Sequence, residues 1–336
     1  MQMEQIPANR SVSLHRVKSF FKKHSDYIIL THCNPDGDTL GSAYALAMIL
    51  QGRGKRTSVL CSDPIPSKYS YFTGGVKNNA DSKCAVVVAV DVADMKLLGD
   101  LEKEYSGKIE LCIDHHVSNK FYAKQTYLDS DAAANCECIY DLAESMHLKI
   151  TKQLALALYT GLSTDTGCFR FSNTTSKTLR IAANLMETGI DTAEINRIMF
   201  ETKSRLRVEL ERMALDEMEF HFNGRCALVA VTRHMYEKTG CKDEDLEGLT
   251  SLPRTIEGVL AGITIRERAD GSYKVSLRTY PPVDASAICK NLGGGGHVRA
   301  AGCQIESKYT LEQAKAQILA EVRSALEEDC AGTVTD

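Results

Sequence analysis

A chain of 336 residues with 40 Lys and Arg against 44 Asp and Glu carries a net charge of −4, without the broad positive surface that tracking a long nucleic acid requires. Its length allows two domains that each bury a core and excludes a small disulfide-stapled scaffold. The apolar runs fall far short of the roughly 20 residues needed to cross a bilayer. Residues 1–7 lack the basic flank and apolar core of a secretory signal. The 12 cysteines are scattered with no CxxC among them, so neither a zinc ribbon nor a thioredoxin-like centre is indicated, and free thiols in a reducing cytoplasm are expected.

From residue 12 to about 205 the pattern alternates helix and strand. It predicts a helix near 12–24, a strand at 27–31, a helix at 39–52, strands at 56–61 and 84–90, a helix at 95–105, a strand at 108–113 and a helix at 132–147. Further helices are predicted at about 151–164, 176–188 and 191–202. The strands are solid apolar runs, as expected when both faces are covered, so the fold class is α/β with a mostly parallel sheet flanked by helices. Residues 203–221 are highly charged yet place Leu206, Leu210, Met213, Leu215 and Met218 at helical spacing. They predict a connecting helix at 206–222 between a first domain at 1–205 and a smaller α/β domain at 223–330. In the latter, a strand at 225–232 precedes a hairpin of 258–268 and 272–280 around Ala-Asp-Gly. A helix from Asp284 runs into the glycines at 293–296, and a helix at 311–326 closes the domain. The last few residues are expected to fray.

Chemistry concentrates at the ends of the predicted strands. His32-Cys-Asn-Pro-Asp36-Gly-Asp38 strings an imidazole and two carboxylates behind the first strand. The apolar run at 85–90 ends in Asp91, and the run at 111–113 ends in Asp114-His115-His116. Asp165 follows the apolar helix 154–162. Ligands of open α/β sheets gather outside the carboxyl ends of the strands, so these groups can converge. Singly, each has a plain structural reading: Asp-Gly belongs in turns, an Asp caps a helix, and a His pair is more often structural than not. Jointly they do not. Asp36, Asp38, Asp91 and Asp165 together would carry four negative charges, a cluster that repels itself unless cations sit within it. Mixed imidazole and carboxylate donors suit two Mn²⁺, with Mg²⁺ or Co²⁺ as substitutes. Two such ions need a bridging carboxylate, for which Asp91 is the choice. They would clamp an in-line displacement at phosphorus by a bridging hydroxide. Because successive strand residues point to opposite sides, one of His115 and His116 should meet metal and the other substrate.

These motifs resemble the DHH phosphoesterases, whose name-giving triplet stands here as Asp114-His115-His116. The resemblance covers nearly the whole chain: His32 to Asp38, Val90-Asp91, Ile113 to Asn119, and Gly161-Leu-Ser-Thr-Asp165-Thr-Gly167. The run Gly293 to Gly296 followed by His297-Val-Arg299 is similar to the substrate loop of the DHH-associated domain. The resemblance implies that His32, Asp36 and Asp91 hold one Mn²⁺, and that Asp38, Asp91, His115 and Asp165 hold the other. It implies His116 as the contact to the scissile phosphate and Asp114 as the residue orienting a histidine. Arg278, Gly295, Gly296, His297 and Arg299 would grip the phosphate or terminal nucleotide, with Arg170 as a further candidate whose plain reading is a surface ion pair. Ala134-Asn135-Cys136 departs from relatives that open this helix with a small hydroxyl residue.

The expectation is a cytoplasmic, Mn-dependent phosphoesterase with its active site in an interdomain cleft. Its substrates would be short RNA oligonucleotides or the 3′-phosphate of adenosine 3′,5′-bisphosphate, with neither long nucleic acid nor membrane as partner and a homodimer left open. Two alternatives stand beside it: a linear or cyclic dinucleotide phosphodiesterase, and a nucleotide-binding regulator with a decayed metal site. The filled ligand positions argue against the latter.

Overall fold

The computed structural model describes residues 10–241, 246 and 248–332. The segment read for a secretory signal and the last residues, expected to fray, lie outside the described residues. Contacts divide the chain into two units between Thr202 and Lys203.

The first unit runs α1 (Leu14–Lys23), β1 (Asp26–Leu30), α2 (Gly37–Gln51), β2 (Arg56–Leu60), α3 (Ser70–Thr73), β3 (Val86–Val90), α4 (Leu101–Tyr105), β4 (Ile109–Asp114), β5 (Gln125–Leu128), α5 (Asn135–Ser145), α6 (Lys152–Asp165), α7 (Ser176–Met186) and α8 (Thr192–Asn196). Its five strands form one sheet in the order β2-β1-β3-β4-β5, and every pair is parallel. Alternate residues feed the two faces. Tyr27, Ile29, Val88, Val90, Leu111 and Ile113 join the core built with α2, α5 and α6, whereas Ile28, Leu30, Ala89 and Cys112 pack with Val92, Leu98 and Tyr105 on the other side. That double burial is why the strands read as unbroken apolar runs.

Helix α2 is apolar all round and buried along nearly its whole length, as a helix sandwiched between sheet and helices must be. Its Leu40, Leu46 and Leu50 are each at most 1 % exposed, a burial that stabilises by up to about 1.5–3 kcal/mol apiece. The helix predicted at 95–105 is broken: Met95–Leu98 is a 3₁₀ turn, Gly99 takes φ 59°, and α4 begins after it. Strand β5 and the short α3 were not expected, both being too short to impose a period.

The second unit contains α9 (Arg205–Asp216), β6 (Glu219–His221), β7 (Cys226–Val231), α10 (Arg233–Thr239), β8 (Ala261–Glu267), β9 (Tyr273–Thr279), α11 (Ala285–Asn291), β10 (Gly295–His297), β11 (Ala300–Ile305) and α12 (Leu311–Gly332). Its six-stranded mixed sheet has the order β10-β11-β9-β8-β7-β6, and only β7 and β8 pair in parallel. The stretch expected as a connecting helix is helical only to Asp216 and then becomes an edge strand. Leu210 and Met213 of α9 are buried with Val231, Met235 and Leu249, so this helix belongs to the second unit's packing. No described helix is long and apolar enough to cross a membrane.

Candidate metal centre

The sheet order of the first unit sets up the site. The chain leaves β1 toward β2 on one side, while β3 leads to β4 on the other. Such a reversal opens a crevice at the carboxyl ends of the two central strands. His32 and Asp36 follow β1, Asp91 ends β3, and Asp114 to His116 end β4.

Each donor is fixed by its local structure. Asp36 is the N-cap of α2 and accepts the N–H groups of Asp38 and Thr39 at 3.0 Å, so its carboxylate both starts the helix and faces the crevice. Asp38, the second residue of that helix, is 1 % exposed. Its two oxygens receive the backbone N–H of Asn135 at 2.5 Å and of Cys136 at 2.9 Å, from the first turn of α5. Asp91 is 2 % exposed and holds φ 59°, a left-handed conformation costly for a non-glycine residue. Its own N–H bonds Ile113 O at 2.9 Å, which ties the β3 end to β4. Asp165 closes α6. Immediately after it Gly167, Cys168 and Phe169 all take positive φ between 56° and 62°, and Asn173 Nδ2 reaches back to the carbonyls of Asp165 and Ala133 at 3.2 and 2.9 Å.

The imidazoles are turned by hydrogen bonds on their Nδ1 sides. Nδ1 of His32 lies 2.8 Å from Cys33 O and that of His115 lies 3.1 Å from Ala132 O. A carbonyl accepts only, so Nδ1 carries a proton in both rings and Nε2 is the atom turned to the crevice, where a cation would displace its proton. Nε2 of His32 is 3.6 Å from Asp36 Oδ1 and 3.7 Å from Asp91 Oδ2. Nε2 of His115 is 3.8 Å from Asp38 Oδ2, 3.5 Å from Asp91 Oδ1 and 3.4 Å from Asp165 Oδ2. Three overlapping donor groups result, His32/Asp36/Asp91, Asp38/His115/Asp165 and Asp91/His115/His116, and the third links the other two through Asp91 and His115. His116 is held differently: its Nδ1 lies 2.8 Å from Asp114 Oδ1. Asp114, fully buried, also accepts the N–H groups of His115 and His116 and the Nδ2–H of Asn119 at 2.6 Å. Asp114 therefore lies behind the crevice and fixes the His116 ring.

These donors fit divalent cations. Their separations are too long for hydrogen bonds, yet ligands about 2.0–2.2 Å from one ion stand about 3–3.5 Å apart. Asp91 Oδ1 and His115 Nε2 are buried atoms with no hydrogen-bond partner, a costly state unless something else satisfies them. Electrostatics point the same way. Burial, then the charges of Asp38 and Asp36, push the Asp91 carboxyl well above its usual range; burial and Asp38 do the same to Asp165. Burial opposes protonation of the imidazoles, yet Asp36 and Asp91 lift His32 to about 10, and Asp91, Asp38 and Asp165 lift His115 to about 9. Both shifts report surplus negative charge in one small volume.

The residues expected to meet substrate fall in two places. Arg170, exposed after α6, donates through Nε to Gly167 O at 2.6 Å and makes no ion pair among the described residues. Arg278 lies in β9, Gly295, Gly296 and His297 form β10, and Arg299 follows with its guanidinium on Val283 O at 2.7 Å. Asn119, Asn173 and the N–H pair of Asn135 and Cys136 were not foreseen as parts of the site. Only the asparagine of the third motif left a trace in the sequence, since backbone donors have no residue signature.

Comparison with known proteins agrees with this layout. The DHH family N-terminal domain matches residues 26–162 and the DHHA1 domain residues 225–328. The bifunctional oligoribonuclease and PAP phosphatase NrnA of Thermus thermophilus is 34% identical over 304 residues, 89% of each chain. The probable bifunctional oligoribonuclease and PAP phosphatase NrnA of Streptococcus mutans is 30% identical over 293 residues, 87% of this chain and 92% of its own. In fold, the crystal structure of an exopolyphosphatase-related protein from Bacteroides fragilis superposes with a TM-score of 0.82 at 24% identity, covering 94% of this chain and 95% of that one. With these two domains in this order and relatives of that identity along most of its length, the chain belongs to the DHH family of phosphoesterases, as a hydrolytic enzyme whose DHH domain is followed by a DHHA1 domain.

Proposed function

We propose that this enzyme hydrolyses short oligoribonucleotides to mononucleotides and removes the 3′-phosphate of adenosine 3′,5′-bisphosphate, using two divalent cations held by His32, Asp36, Asp38, Asp91, His115 and Asp165. The observation that carries this reading is the set of overlapping three-donor groups linked through Asp91 and His115, each of which holds a buried donor atom with no hydrogen-bond partner. The similarity to oligoribonuclease and PAP phosphatase relatives at 34% and 30% identity supports the substrate class. The mixed imidazole and carboxylate donors favour Mn²⁺, with Mg²⁺ or Co²⁺ as substitutes.

A bound pair of such cations would acidify a water and neutralise charge developing on the phosphoryl oxygens. The protein supplies the rest. Asp91, locked by its strained backbone and its bond to Ile113, stands in two of the donor groups without adjustment. His116, whose Nδ1 is engaged by Asp114, would meet a phosphoryl or leaving-group oxygen through its ring. In the second unit Arg278, His297 and Arg299 would hold a substrate phosphate, while Gly295 and Gly296 let the backbone approach an anion closely. Arg170 would contact phosphate or base from the first unit.

Hydrolysis assays with Mn²⁺ test the reading. The panel compares two- to five-nucleotide RNA, adenosine 3′,5′-bisphosphate, linear and cyclic dinucleotides and pyrophosphate. Turnover of short RNA and the bisphosphate supports it; turnover confined to cyclic dinucleotides or pyrophosphate overturns it.

A further inference from the structure

The second unit carries an arginine, outside every motif noted above, beside the face that bears Arg278. Register across the sheet sets His297 of β10 opposite Ala300 of β11, Ala300 opposite Arg278 of β9, and Arg278 opposite Gly262 of β8. Residues directly opposite in antiparallel ladders project from the same face, so His297, Ala300, Arg278 and Gly262 form one row across four strands about 4.8 Å apart. It is the face away from Ile263, Leu277 and Ala301, which enter the unit's core.

Gly262 is what brings the extra arginine in. A Cβ there would stand 2.6 Å from the backbone nitrogen of Arg254, so only glycine lets the turn Pro253–Thr255 lie directly on β8. Arg254 is thereby stacked beside the row, with its guanidinium carbon 4.9 Å from the ring centroid of the half-exposed Tyr280, the residue after β9. Its Nε is buried and has no hydrogen-bond partner. Among the described residues no carboxylate is within ion-pair distance of Arg254 or Arg278. Burial and then the positive charge of Arg254 lower the Arg278 pKa from its ordinary value. Two neighbouring guanidiniums without an anion, one of them with an orphaned donor, are a site prepared for an anion that accepts several hydrogen bonds, as a phosphate does.

We propose that Arg254 is a phosphate contact, gripping together with Arg278 a nucleotide phosphate other than the one being cleaved. This rests on the nucleotide reading given above, in which the cleaved phosphate belongs with the metal donors. Tyr280 lies within cation–π reach of the Arg254 guanidinium and helps to hold it in place. A guanidinium can offer two N–H donors to one phosphate, a role that lysine fills poorly.

The test uses the full chain and two dinucleotides that differ only in a 5′-phosphate. Arg254→Ala should raise KM for the 5′-phosphorylated dinucleotide about 10- to 100-fold, leave KM for the unphosphorylated one unchanged, and leave kcat on both near wild type; Arg254→Lys should recover only part of the loss. Equal KM changes on both substrates would mean a merely structural role and overturn the proposal, as would no change on either. Calorimetric binding of adenosine 5′-monophosphate against adenosine gives a second readout independent of turnover. Loss of affinity for the monophosphate alone in Arg254→Ala supports the contact, and equal affinity in wild type and variant overturns it. If the wild type hydrolyses neither dinucleotide, the proposed function fails, and the calorimetry still decides the role of Arg254.

Discussion

Cys136 donates its backbone N–H to Asp38 across 98 residues of sequence, at 2.9 Å, while its thiol packs beneath the same aspartate. One residue thus orients the Asp38 carboxylate and fills the space behind it. The space is tight because two glycines border it: a Cβ on Gly161 would stand 2.2 Å from Cys136 Sγ and 2.7 Å from Asp38 Oδ1, and one on Gly41 3.0 Å from the same sulfur.

Gly161→Ala should therefore destabilise the fold by about 1–3 kcal/mol, as overpacking does, and should also weaken metal binding by displacing Asp38. Combining it with Cys136→Ala, which removes the colliding sulfur, should recover part of both losses. Thermal melts and Mn²⁺ titrations on the two single variants and the double variant check this. Additive losses would show that the thiol and the glycine do not share this space.

The carboxylate cluster predicts a stability pattern that ordinary buried residues would not show. Mn²⁺ at about 100 times its dissociation constant should add about 2.7 kcal/mol to the native state, raising Tm by several degrees. Asp91→Asn removes one of the mutually repelling charges, so the metal-free variant should melt no lower than metal-free wild type, and its Mn²⁺ response should be largely lost. Differential scanning calorimetry with and without chelator measures both.

Asp114→Asn keeps the size of the buried group but replaces an acceptor of the His116 Nδ1–H with an amide that can turn a donor toward it. The ring is then free to take the wrong tautomer. We expect kcat to fall about 10²- to 10⁴-fold with KM changed little and two Mn²⁺ still bound. A fall in metal content to match the fall in rate would place Asp114 in ligand support instead.

A pH-dependent element lies away from the site. Buried Asp26 accepts Arg56 Nε at 2.6 Å and the backbone N–H of Asp81 at 3.1 Å, and the Arg56 hydrogen bond, followed by that of Asp81, holds its pKa below the usual value. A depressed folded-state pKa means stability that is present above the unfolded value, near 3.9, and lost as pH falls below it toward the folded value. Acid unfolding followed by circular dichroism should show Asp26→Asn less stable than wild type at pH 7, with the gap narrowing below about pH 4. A gap constant with pH would remove this linkage.

Much of the first unit was legible because burial on both faces leaves the strands β1, β3 and β4 as solid apolar runs, each ending in the acid or histidine that topology then gathers. What the sequence hid has physical reasons. The hydrogen bonds from Asn135 and Cys136 to Asp38 use backbone groups, which every residue possesses. Helix 95–105 was misjudged because its period continues across Gly99, where tertiary packing sets a positive φ. Strands β10 and β11 hold Gly295, Gly296 and Gly302 and are too glycine-rich to show alternation, and Arg254 gains its place only through Gly262, a contact with no local pattern.

The most direct test of the central claim is the number of cations the folded enzyme holds. Equilibrium dialysis of the full chain against Mn²⁺, followed by elemental analysis and a dinucleotide hydrolysis assay on the same samples, should give two ions per chain in the wild type. Asp91→Ala should give one or fewer, with turnover abolished and an unchanged circular dichroism spectrum. An Asp91→Ala enzyme that still turns over, or a wild type fully active with a single ion, would contradict it.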